Sequence, residues 1–388
     1  MNLSLVLRHI LAAPGAVSRA TIASRMGTTR ATVSRLVDEL CNTGLVCDCS
    51  PSGDASRGRP GIPLAPQFGR VVSLGVEINI SYLSACAVEL TGEILAQETV
   101  RGDFAGSDPA VAMAQLVDLA RRVMTAAMKS AKAANPVFVG SGLALPGLVS
   151  SETLALAPNL GWRDLSLDEL LEPLSDLNPV LVANEADLAA FAVANPRPGA
   201  PDGPASFVYV SGEVGIGAGI IIDHRPLAGA HGWSGEIGHI CVDPSGPICS
   251  CGATGCLEAY LGLRALARSA GLPAGSTPEE IVSAARDGSS EARSAIATGG
   301  AALGRALSAI VNTVDIPEII LGGNVAVLAD ELIPPARDEL HARVLQSPWA
   351  EPELRISEVS ADLAVIGAAH KVLQRLVDDP IAWTNSIP

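Results

Sequence analysis

The chain changes texture once, at Ala65–Arg70, and that break limits the fold more than any other feature. Before it, apolar residues recur at helical spacing, first Leu3, Val6, Leu7 and Ile10, then Val33, Leu36, Val37 and Leu40. Ser18 and Thr28 or Thr29 stand where helices begin, and Gly27 and Gly44 where they stop. After three short helices, LVCDC reads as a strand, SPSGDASRGRPG as a loop and IPLAP as a returning strand. Three helices and a hairpin make a winged helix-turn-helix over residues 1–66. APQFGR reads as a linker. Residues 67–388 then alternate strands (VVSLGVEIN, YLSACAVEL, VFVGSGLAL, SFVYVSGEVGIGAGIII, EIILGGNV) with helices such as the one from Pro109 to about Ala134. Such alternation, with glycine-rich turns, predicts an α/β body of more than one lobe. No short-period repeat is visible.

Charge divides at the same place. Residues 1–70 carry eight arginines and four acids, a local +4, so a net charge of −15 leaves −19 on the remainder. An acidic body repels DNA, and the basic module is the part suited to bind it. The third helix turns Thr29, Arg30, Thr32, Ser34 and Arg35 away from its apolar face, offering hydroxyls and guanidinium forks to base edges and phosphates. In the loop, Arg57 and Arg59 on a Gly/Pro backbone suit a narrow minor groove. A module that docks a protein instead of DNA is the competing reading.

No uninterrupted apolar run reaches the ~18 residues of a membrane span. The opening MNLSLVLRHILAAPGA is broken by Arg8 and His9 and lacks a basic lead-in, so it reads as a mature helix of a cytoplasmic protein. The eight cysteines are then thiols or metal ligands. Four potential ligands fall between His239 and Cys256: Cys249, Cys251 and Cys256 in C-x-C-x4-C, with the histidine ten residues upstream. Three thiolates and an imidazole close a tetrahedron around Zn2+ with no open position, which predicts a structural metal. Cys241 breaks the spacing and reads as a core thiol; Cys41, Cys47 and Cys49 read as packed thiols, not a second metal site.

GEIGHICVDPSGPICSCGATGCLE, together with LALPGLV, APNLGW, ANEADLAA, GIGAGI, GAHGWSGEIGH and ILGGNV, resembles the ROK family of repressors and sugar kinases from about Val71 to the C-terminus. The N-terminal module resembles the repressor branch. The resemblance implies a two-lobed actin-like, ribonuclease-H-type fold, its lobe boundary near residue 180 and a C-terminal helix returning to the first lobe. It implies a sugar in the cleft, ringed by Asn159, Asn184, Glu185, Glu236, His239 and Glu258, with zinc bracing one wall. It also implies a homodimer or homotetramer. Carboxylates accept from adjacent hydroxyls and amides both give and accept, which suits a polyol.

Phosphoryl transfer needs backbone amides for the nucleotide and a base beside the sugar hydroxyl. ROK kinases use Asp-x-Gly-Gly-Thr on the first strand, Gly-Thr-Gly in a second turn, and an aspartate base. Here the first reads Glu77, Asn79, Ile80, Ser81, the second Glu213, Val214, Gly215, and the base position is Glu185. The sugar half of the pattern survives and the ATP half does not. The expectation is a sugar-responsive transcriptional regulator, most simply a repressor, without kinase activity, acting on double-stranded operator DNA. The alternative is an ATP-dependent ROK sugar kinase with an added DNA-binding domain. A hexose, pentose or N-acetyl sugar would fit; GVEI and SGEVG resemble the xylose-type repressors more than the glucose type.

Overall fold

The computed structural model describes residues 2–49, 61–131, 133, 135–358 and 362–384. The head contains α1 (Asn2–Ala12), β1 (Val17–Ser18), α2 (Arg19–Arg25), α3 (Arg30–Asn42), β2 (Val46–Asp48) and β3 (Pro63–Pro66), the strands in the order β1-β3-β2. The Ser18 hydroxyl caps α2 by accepting from Thr21 N–H, and Thr29 caps α3 by accepting from Thr32 N–H. Each of the two helical stripes read from the sequence is buried along its whole length. Arg57 and Arg59 lie outside the described residues.

The first lobe contains β4 (Val71–Ile78), β5 (Tyr82–Glu89), β6 (Ile94–Arg101), α4 (Pro109–Ser130), β7 (Val137–Leu145), the small meander β8 (Leu148–Val149), β9 (Thr153–Ala157) and β10 (Trp162–Ser166), α5 (Leu167–Leu171), β11 (Pro179–Asn184) and α6 (Glu185–Ala194). The second contains β12 (Phe207–Gly212), β13 (Ile216–Ile222), β14 (Arg225–Pro226), α7 (Glu258–Leu261), α8 (Leu263–Ser269), α9 (Pro278–Arg286), α10 (Ser290–Val314), β15 (Glu318–Gly322), α11 (Gly323–Val327), α12 (Ala329–Arg343) and β16 (Glu353–Ile356). The last described helices are α13 (Leu363–Asp378) and α14 (Pro380–Thr384).

The two large sheets have one topology. In β11-β7-β4-β5-β6 and in β14-β13-β12-β15-β16, the first three strands of each lobe form an antiparallel meander and the next two add in parallel beside the first. This duplication is the actin-like, ribonuclease-H-type architecture. Helix α6 lies between the lobes and is buried on nearly every side. It can lie on β13 because Gly219 has no side chain: a Cβ there would sit 2.5 Å from the Ala190 methyl.

Helix α13 returns to the first lobe and packs on β4, β7 and α6. Its other face holds the head. Leu3, Val6, Leu7 and Ile10 of α1 share one continuous core with Val71, Val88, Val365, Leu373 and Val377. Polar contacts seal that seam: Arg8 pairs with Asp378, and Arg197 donates to the Leu11 and Ala12 carbonyls. Ala65–Arg70 is therefore no free tether. Gln67 N–H donates to Leu45 carbonyl, and only a tight turn separates β3 from β4. By length and composition α10 would cross a membrane, yet it packs as a core helix against α12, with 67% of its most apolar window buried.

Candidate functional site

The lobes enclose a cleft of about 370 Å³ whose walls include all six residues expected around a sugar, Asn159, Asn184, Glu185, Glu236, His239 and Glu258. Its apolar lining includes Ile80 and Val214, the altered turn positions, and also Leu156, which carried no sequence signal. Each polar residue arrives at an element end. Asn184 and Glu185 stand where β11 passes into α6, and Glu258 opens α7. Asn184 is already committed: its Oδ1 accepts from Ala186 and Asp187 N–H at 2.8 and 3.4 Å, while Nδ2 donates to Gly147 carbonyl at 2.9 Å. Glu258 is held at both oxygens, by Ile216 N–H at 3.1 Å and the Ser250 hydroxyl at 3.0 Å. That grip requires Gly215, since a Cβ there would lie 2.4 Å from Glu258 Oε2. Ser250, between two cysteines, was not foreseen as a positioning residue.

His239 has two faces. Its Nδ1 lies 3.8 Å from Cys249 Sγ, and its Nε2 lies 3.9 Å from Glu236 Oε2 on the cleft side. The His239, Cys249, Cys251 and Cys256 donor atoms all lie within 4.8 Å of one another. Cys251 and Cys256 Sγ are 3.8 Å apart and all eight cysteines are free thiols. A tetrahedron with Zn–S bonds of ~2.3 Å has S···S edges of ~3.8 Å, so the donor set fits the ion in kind and in size. Burial and the neighbouring thiols push Cys256 up to about 12, a cost that a bound dication would reverse. Cys241 is exposed, not a core thiol: it pairs with Cys256 through an isolated β-bridge that leaves its side chain on the outside. Among the described residues Cys41, Cys47 and Cys49 form no second cluster.

Around Glu77, Asn79 and Ile80, the first of the two turns that depart from the kinase pattern, the side chains pack and bond among themselves. Ile80 is 6% exposed and packs into the first-lobe core. Its carbonyl accepts from Phe104 N–H, and Asn79 Nδ2 donates to Glu185 Oε2 at 3.1 Å. Glu77 is buried beneath, accepting from the Tyr82 hydroxyl at 2.7 Å. Burial and mutual repulsion raise this group of acids: Glu185 and Glu213 to about 7, Glu77 well above the ordinary carboxyl range.

In the head, Arg30 and Arg35 project from the exposed flank of α3 with Thr29, while Thr32 and Ser34 are half-buried. The Thr29 and Thr32 hydroxyls bond each other at 2.9 Å, and Arg35 leans toward Glu39 at 3.8 Å.

Fold and cleft together define a two-lobed actin-like protein with a winged helix built onto its first lobe. The chain belongs to the ROK family, which residues 73–375 match, while residues 4–54 match the MarR family. The xylose repressor of Caldicellulosiruptor bescii is 29% identical over 400 residues, spanning 98% of this chain and 97% of that protein. The glucokinase of Halalkalibacterium halodurans is 32% identical over 257 residues, 61% of this chain and 77% of the kinase. The crystal structure of a ROK family transcriptional regulator, a homolog of the E. coli MLC protein, superposes with a TM-score of 0.79 at 26% identity, covering 99% and 98% of the two chains.

Proposed function

We propose that this chain is a cytoplasmic, sugar-responsive transcriptional repressor that binds operator DNA through residues 1–66 and a sugar through residues 67–388. The observation that carries the reading is the core shared by α1 and α13, because it joins a DNA-binding head rigidly to the lobe that forms the cleft. In this reading Glu185, Glu236, Glu258 and Asn159 take the sugar hydroxyls, Asn184 holds the α6 terminus beside them, and His239 presents one ring nitrogen to the ligand. Zinc on His239, Cys249, Cys251 and Cys256 supplies no chemistry beyond bracing that wall. Thr29, Arg30, Thr32, Ser34 and Arg35 face the major groove, with Arg57 and Arg59 on the wing. Two copies of the chain sit on a pseudo-palindromic operator.

Closure of the lobes on sugar moves α6, which packs on α13, which carries α1. The ligand shifts the DNA-binding balance only by its differential affinity for the open and closed forms. The xylose repressor relatives, matched over nearly their whole length, and the ROK transcriptional regulator structure support a repressor, whose effector is a pentose such as xylose, a hexose or an N-acetyl sugar. Ile80, Glu213 and Val214 argue against a seat for ATP. One observation favours a kinase instead: Glu185, at about 7, has the protonation range of a general base. A thermal-shift screen against sugars, followed by DNA binding with and without the best one, tests the repressor. Sugar-dependent ATP consumption at ordinary kinase rates would replace it with the kinase.

A further inference from the structure

A second cavity, of about 540 Å³, opens on the other side of Asn184 from the zinc-braced cleft. Its first-lobe side is formed by Ser150, Ser151 and the end of β11; its second-lobe side by the 226–233 segment, with His231 and Trp233. Asp187 of α6 and Lys371 of α13 also line it. Asn184, which donates to Gly147 carbonyl, lines both spaces.

Three features go beyond a surface groove. Asp187 is 8% exposed, and its Oδ1 has no hydrogen-bond partner. Lys371 is half-buried over the Phe191 ring at 5.7 Å, and among the described residues no ion pair joins it to Asp187. A buried acid and a half-buried ammonium that interact without forming an ion pair thus offer the same cavity a strong acceptor and a strong donor. On the second-lobe wall of the same cavity, the His231 and Trp233 rings pack at 5.0 Å between centroids, and Trp233 is 37% exposed, which an isolated core aromatic would not be. A sugar hydroxyl gives to one group while accepting from another, so adjacent hydroxyls of one sugar can satisfy both Asp187 and Lys371. The C–H face of a sugar ring lies flat on an indole.

We propose that this cavity is a second carbohydrate site, separate from the zinc-braced cleft, for a neutral sugar held by Asp187, Lys371 and the Trp233 face. Because its walls come from both lobes and from α13, a ligand there bears on lobe separation and on the helix that carries the DNA-binding head.

The test uses the full-length protein with 15N-labelled tryptophan, which gives four indole signals to follow by NMR; Trp233→Phe assigns the relevant one. D-Xylose, D-glucose and glycine are titrated separately. The expected result is a saturable shift of the Trp233 signal with at least one sugar, weakened by at least about tenfold in Kd in both Asp187→Asn and Lys371→Met. The shift persists in Glu258→Gln, which disables the zinc-side cleft. The proposal is overturned if Trp233 ignores both sugars, if glycine moves it in their place, or if Glu258→Gln abolishes its shift. Lys371→Met alone decides the matter if Asp187→Asn does not fold.

Discussion

Replacing Glu213 by Gln should make the protein more stable, and only at neutral to alkaline pH. Glu213 is held at about 7 by burial and by Asp362, against an ordinary 4.5, with Arg101 pulling the other way. The folded chain therefore keeps a proton through a window in which the unfolded chain has lost it. Stability is complete below about 4.5 and falls as pH rises through about 7, after which the loss is constant. Titrating alone, such a group would cost ~3 kcal/mol at the upper end. It does not titrate alone: Glu213 helps raise both Glu185 and Glu77, so ionisation of one holds protons on the others. A gain of ~1–2 kcal/mol for Glu213→Gln at about pH 8 and close to none at about pH 5 is the expected outcome. Urea denaturation of metal-loaded, sugar-free protein at the two pH values measures it. Equal effects at both, or none at the higher pH, would refute the account of the buried acids.

Metal analysis of Cys256→Ser should show zinc lost together with a lower Tm, whereas Cys241→Ser, altered at an exposed thiol, should keep both. Gly215→Ala should fold but lose sugar-induced stabilisation, because its methyl displaces the Glu258 carboxylate; a normal thermal shift with sugar would disprove that role for the glycine. Arg30→Ala and Arg35→Ala should each weaken DNA binding across sequences and lower the salt-dependence slope by about 1, read by fluorescence anisotropy at several salt concentrations. An unchanged slope would remove these side chains from the interface.

Much of this was legible in the chain. The stripes of α1 and α3 and their caps are local patterns, and each buries or bonds as its spacing requires. The Cys3His set is local too, since one loop and a nearby turn carry it, whereas the six polar residues of the cleft wall were placed only by the family resemblance. Other features were not legible. Nothing in the residue order states that the two lobes repeat one topology, because strand order is a matter of long-range pairing and the lobes share no short-period pattern. Ala65–Arg70 looks like a linker by composition, yet the head is fused to the body, because α1 finds its apolar partner on α13, some 360 residues away.

Trp233 and Asp187 lie 46 residues apart, and only folding brings them to one cavity. By itself the sequence determined which segments are helix and strand and which loop gathers the Cys3His set, since caps, periodicity and residue spacing act over a few residues. Only the tertiary structure decided that α6 and α13 join the cleft to the DNA-binding head, because that depends on which buried faces meet when distant segments pack.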